Sequence, residues 1–87
     1  MKINKAIQEF VDSAITSGYV SKEDRYYLLN RVLYLVGEES FESSKEVEQS
    51  SLLDAMANLV EAAVESGKIE NDSEERDWLE QELMNLV

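Results

Sequence analysis

The chain repeats itself, and that repeat restricts its fold more than any other feature. Residues 3–20 align without a gap on residues 52–69, and residues 25–36 on residues 76–87 after a two-residue insertion in the second copy's turn; nine of the 30 paired positions are identical. Ser17-Gly18 falls on Ser66-Gly67, Arg25 on Arg76, Tyr27 on Trp78, and Leu35-Val36 on Leu86-Val87. Within the first copy, Ile3, Ala6, Ile7, Phe10, Val11, Ala14 and Ile15 recur at the i, i+3, i+4, i+7 spacing of a helix with one buried stripe. Gly18 suits the left-handed position that ends such a helix. Ser21, with Asp24 three residues on, is placed to cap a second helix. Its apolar face is Leu28, Leu29, Val32, Leu33, Leu35 and Val36, and Gly37 is its stop. In the second copy the stripe Leu52, Leu53, Met56, Leu59, Val60, Ala63 and Val64 opens after Ser50 or Ser51 and closes at Gly67. The last helix starts near Asp72, with Glu75 to complete the box, and runs through Trp78, Leu79, Leu83, Leu86 and Val87. Nothing alternates with the period of a strand.

An αα-hairpin cannot bury its apolar face alone, so two copies predict an all-α, four-helix domain with approximate internal two-fold symmetry. The expected division is one domain over residues 1–87: a hairpin at about 2–37, an acidic linker at about 38–50 and a second hairpin at about 51–87. A chain of 87 residues supports one modest core and buries roughly 60 to 65% of its unfolded surface. A deep active site would be hard to enclose as well.

Composition then narrows function. Eight Lys and Arg stand against 19 Asp and Glu, a net charge of -11, which repels phosphate backbones and anionic lipid; neither nucleic acid nor membrane is expected as a partner. There is no Cys and no His, so thiolate and imidazole metal ligands, disulfides, Ser-His or Cys-His catalysis and phosphohistidine chemistry have no residues to use. Met1-Lys2-Ile3-Asn4-Lys5 leads straight into an amphipathic pattern rather than the apolar run of a secretory signal, and the longest apolar run, residues 32–36, is far short of a membrane span. A cytoplasmic location is expected.

Local chemistry adds little. Asn71-Asp72-Ser73-Glu74-Glu75 lacks the glycine turn of a calcium loop, and the acidic run before Gln49 reads as a solvated connection. The neighbouring carboxylates Glu38-Glu39 and Glu74-Glu75 point apart on a helix and have nothing apolar beside them to tune a proton transfer. Three isolated glycines make no phosphate loop. Arg25 and Arg76, at equivalent positions, are expected to share a structural role, such as pairing with a neighbouring helix or a capping carboxylate. Tyr26, Tyr27, Tyr34 and Trp78 are expected at the core or its rim.

Two stretches carry a more specific signal. Asp24-Arg25-Tyr26-Tyr27-Leu28-Leu29-Asn30-Arg31-Val32-Leu33-Tyr34-Leu35-Val36-Gly37 is one; the other is residues 59–69 followed by Glu75-Arg76-Asp77 and Leu83-Met84-Asn85-Leu86-Val87. In order and spacing they resemble the N-terminal region of the galactose-1-phosphate uridylyltransferases of Gram-positive bacteria, and the resemblance covers nearly all of the chain apart from the acidic linker. It implies an N-terminal helical module of a nucleotidyltransferase of galactose metabolism. That enzyme moves a uridylyl group from UDP-glucose to galactose 1-phosphate through a uridylyl-histidine in a His-Pro-His segment. This chain departs from that pattern, having neither His nor Pro. The resemblance therefore assigns no catalytic, cofactor or metal residue here, places the chemistry and both substrates beyond Val87, and makes the catalytic domain, or a second copy, the expected partner. Arg25, Asn30, Arg31, Arg76 and Trp78 are the candidates for contact with it.

Two other readings were weighed. Acyl carrier proteins share the size, acidity and helix count, but hold phosphopantetheine on the serine of an Asp-Ser-Leu at the start of their second helix. Here Asp12-Ser13-Ala14 lies inside the first helix and Asp72-Ser73-Glu74 at the start of the fourth. A free-standing acidic domain that captures a basic protein is the remaining alternative.

Overall fold

The fold is that of a computed structural model in which residues 3–38 and 51–87 are described. Four helices make up these residues: α1 (Ile3–Thr16), α2 (Arg25–Val36), α3 (Leu52–Glu65) and α4 (Ser73–Leu86). No strand occurs among the described residues. Most of the linker assigned to residues 38–50, with Phe41 and Val47, lies outside them.

The stripes fold as their spacing requires, except that Leu53, in the first turn at the edge of the third stripe, is 70% exposed and Trp78 of the fourth is 45% exposed. Ile7, Phe10, Val11 and Ala14 of α1 meet Ala55, Leu59, Val60 and Ala63 of α3 in a single core, closed by Leu28, Val32 and Val36 of α2 and Leu79 and Leu83 of α4. Helix α1 has its most extensive contacts with α3, and further contacts join α1 to α2, α3 to α4 and α2 to α4. The helices thus form a closed cycle in the order α1, α2, α4, α3. Burying a side chain such as Phe10 or Leu59 completely stabilises the fold by about 1.5–3 kcal/mol, so this one core supplies most of the driving force.

Termini are set locally. Ser51 Oγ accepts from Asp54 N at 3.2 Å, and an Asp72 carboxylate oxygen accepts from Glu75 N at 2.8 Å; each satisfies a first-turn N–H that no helix carbonyl can reach. At the other end, the amides of Gly18 and Tyr19 donate to Ile15 and Ala14 O, and those of Gly67 and Lys68 to Val64 and Ala63 O. This crossed pair of bonds is the Schellman closure, which needs the left-handed backbone seen at Gly18 (φ 83°) and Gly67 (φ 74°).

The start of the second helix differs from expectation. Ser21 makes no side-chain bond to the helix backbone; its hydroxyl donates to an Asp24 carboxylate oxygen at 3.1 Å, while Asp24 N donates to Ser21 O, also at 3.1 Å. Residues Lys22–Asp24 therefore form a 3₁₀ turn, and the α-helix begins only at Arg25. With the serine hydroxyl turned to the carboxylate, the two side chains satisfy each other and leave the capping bond unmade.

Candidate functional site

Arg25 and Arg76 are engaged within the fold. Arg25, at the first turn of α2, pairs with Asp12 of α1, and Arg76, at the first turn of α4, pairs with Glu61 of α3 and donates to Asn71 Oδ1 at 2.9 Å. Each ion pair ties the start of one helix to the flank of the helix before it. Both are partly exposed, so each contributes at most about 1 kcal/mol. A third pair, Lys68 Nζ to Glu38 at 2.7 Å, links the turn after α3 to the chain two residues past α2.

A polar pair also enters the contact between α1 and α3, where Asn58 Nδ2 donates to Glu9 Oε1 at 2.9 Å; Glu9 is buried, as are Gln8 and Ser13 of the same helix. Sequence reasoning missed Glu9 and Asn58, although a signal for them existed. They occupy aligned positions of the two copies, and side chains at aligned positions can face each other where equivalent helices pack together.

The remaining candidates lie on the outside of α2 and α4. Asn30 and Arg31 are exposed, Trp78 is 45% exposed, and Arg31 lies over the ring of Tyr27 at 6.0 Å from its centroid. The packing role expected for the tyrosines does not hold: Tyr26, Tyr27 and Tyr34 are 76%, 66% and 85% exposed. Leu28, Leu29, Val32 and Val36 fill the inward face of α2, which leaves positions 27, 30, 31 and 34 on the opposite side, a stripe at i, i+3, i+4, i+7. Between α2 and α4 lies a cleft of about 170 Å³ lined by Arg31, Tyr34, Leu35, Glu82, Asn85 and Leu86. Arg25 and Arg76 are thus held by carboxylates of the fold, whereas Asn30, Arg31 and Trp78 belong to the outer surfaces of α2 and α4.

Among the described residues no group of His, Cys, Asp and Glu is arranged to hold a metal ion, and no helix is long and apolar enough to cross a membrane. The described residues define a class: an all-helical fold of four helices with an exposed aromatic face on α2.

Comparison with known proteins makes this more particular. Along 93% of its length the chain is 38% identical to "Galactose-1-phosphate uridylyltransferase 1" of Streptococcus pneumoniae serotype 4 and 37% identical to the galactose-1-phosphate uridylyltransferase of Streptococcus mutans serotype c. Along 94% it is 39% identical to the enzyme of the same name from Pediococcus pentosaceus. The match in each is to 16% of the relative, its N-terminal region, so the chain spans about one sixth of the length of the curated relatives it matches. No family model matches, and no solved structure matches.

Proposed function

We propose that this segment is the N-terminal helical module of a galactose-1-phosphate uridylyltransferase, with uridylyl transfer from UDP-glucose to galactose 1-phosphate carried out by a part of the protein beyond Val87. The observation that carries this reading is the 37–39% identity to three such enzymes over at least 93% of the chain. The residue inventory agrees with it: transfer through a uridylyl-histidine needs an imidazole, and these 87 residues contain none. The module's work is then contact with the catalytic part, in the cytoplasm, with both substrates bound on that part and no cofactor, nucleic acid or membrane engaged by the module itself.

We further propose that its two hairpins are duplicates of one ancestral hairpin. The ion pairs Asp12–Arg25 and Glu61–Arg76 join aligned positions, the Gly18 and Gly67 closures share the same two crossed bonds, and Glu9 hydrogen-bonds its own counterpart, Asn58. The α2–α4 cleft is lined by three aligned pairs, Arg31 with Glu82, Tyr34 with Asn85 and Leu35 with Leu86. A two-fold axis passing between α1 and α3 and between α2 and α4 accounts for all four observations.

The functional test is replacement. Deleting the matched segment from the Streptococcus pneumoniae relative is expected to lower uridylyl transfer or assembly, and inserting this chain in its place is expected to restore them, whereas an unrelated acidic four-helix domain is not. Harmless deletion, or equal rescue by the unrelated domain, would overturn the proposal.

A further inference from the structure

Helix α2 is unlike the rest of the molecule in charge. The chain has 19 acidic residues, and α1, α3 and α4 each carry at least two, but Arg25–Val36 contains none. Its outward stripe is Tyr27, Asn30, Arg31 and Tyr34, flanked by Tyr26. Tyrosine and arginine are the residues enriched where proteins bind one another, while glutamate and aspartate are depleted from such centres. Three large aromatic rings are exposed along this one helix, a concentration not matched on any other helix among the described residues.

The nature of what covers it follows from charge and length. A nucleic acid or an anionic membrane would meet a molecule of net charge -11 around one exposed arginine. A second copy would bring another -11 into contact with the first. In the relatives, by contrast, the matched segment makes up 16% of the polypeptide, so a body about five times as large adjoins it.

We infer that the outer stripe of α2, Tyr27, Asn30, Arg31 and Tyr34, together with the cleft it shares with α4, is the surface on which the catalytic body of the uridylyltransferase sits. This rests on the reading under Proposed function. The stripe calls for a mostly apolar partner surface with backbone carbonyls within reach of the tyrosine hydroxyls, while Glu82 of α4 shares the cleft with Arg31. Asn85 and Leu86 of α4, across the cleft, extend the patch beyond the stripe itself.

The experiment is hydroxyl-radical footprinting of the free 87-residue chain and of the same chain inserted in the Streptococcus pneumoniae relative, with uridylyl transfer measured in parallel. In an active chimera the oxidation rates of Tyr27 and Tyr34 should fall at least about five-fold relative to the free chain, as expected for side chains at the dry centre of an interface. Tyr27→Ser with Tyr34→Ser should leave the melting of the free chain unchanged and lower the chimera's activity or assembly about ten-fold. An active chimera whose tyrosines remain as reactive as in the free chain overturns the docking surface and leaves the module reading intact. A well-folded but inactive chimera overturns the module reading, and the docking surface with it. Protection that appears in the free chain as its concentration rises assigns the stripe to a second copy and also overturns the inference.

Discussion

Leu28 and Tyr27 are neighbours in the chain with opposite fates, and truncating each gives a quantitative test of how α2 is oriented. Leu28 is 2% exposed and packs in the core between the helices, whereas Tyr27 is 66% exposed. Leu28→Ala removes buried methyl groups from the core cluster, on a helix packed against α1 and α4, and should cost about 3–5 kcal/mol. The whole domain is worth roughly 4–13 kcal/mol at its length, so this one change removes a large share of it. With a urea slope of about 1–3 kcal/mol per molar, the unfolding midpoint should fall by about 1–5 M. Tyr27→Ala and Tyr34→Ala remove rings that touch little and should stay within about 0.5 kcal/mol of the parent. Leu28→Met, which keeps the volume, should cost under about 1.5 kcal/mol and serves if the alanine variant does not fold. The assay is equilibrium urea unfolding followed by far-ultraviolet circular dichroism. Equal losses for Leu28→Ala and the two tyrosine variants would refute the assigned face of α2 and remove the basis for a spare aromatic stripe.

Other consequences concern the ends and flanks of the helices. Gly67→Ala should cost about 1–2 kcal/mol in the same assay, because a Cβ there meets no atom within 4 Å and the whole penalty is left-handed backbone; a loss above about 3 kcal/mol would mean a hidden clash. Asp72→Ala should cost about 1 kcal/mol through loss of the bond from Glu75 N, and Asp72→Asn or Ser much less. A double-mutant cycle over Asp12→Asn and Arg25→Gln should give a coupling of about 0.2–1 kcal/mol that shrinks in 1 M salt; a coupling indifferent to salt would contradict an exposed ion pair.

What could be read from the sequence was local or periodic. The four apolar stripes, the glycine stops at Gly18, Gly37 and Gly67 and the caps at Ser51 and Asp72 depend on residues within one or two turns, and they are found where the spacing puts them, apart from the exposed Leu53 and Trp78 at the stripe edges. Ser21 shows the limit of that reasoning. The capping pattern is present, but Asp24 takes the serine hydroxyl and the first turn becomes 3₁₀. Tertiary questions were harder. Periodicity marks Leu28 and Val32 as inward but cannot rank a tyrosine, which is apolar enough for a core and polar enough for water, so Tyr27 and Tyr34 emerge as surface only from the fold. Glu9 is harder still. A carboxylate beside an apolar stripe reads as solvated, and its burial next to Asn58 depends on α1 and α3 packing at that point. Of the contact candidates, Arg25 and Arg76 could be foreseen as structural because the repeat places them alike, whereas the separation of Asn30, Arg31 and Trp78 from them required the helix orientations.

The central claim is that these residues belong to a larger transferase. Its most direct measurement is the intact mass of the native product carrying this segment, isolated from the source cells by an antibody raised against residues 3–38. The account predicts a polypeptide of about six times the 9.9 kDa of this segment, containing a His-Pro-His sequence and co-purifying with uridylyl transfer. A product of 9.9 kDa with no transferase activity would contradict it.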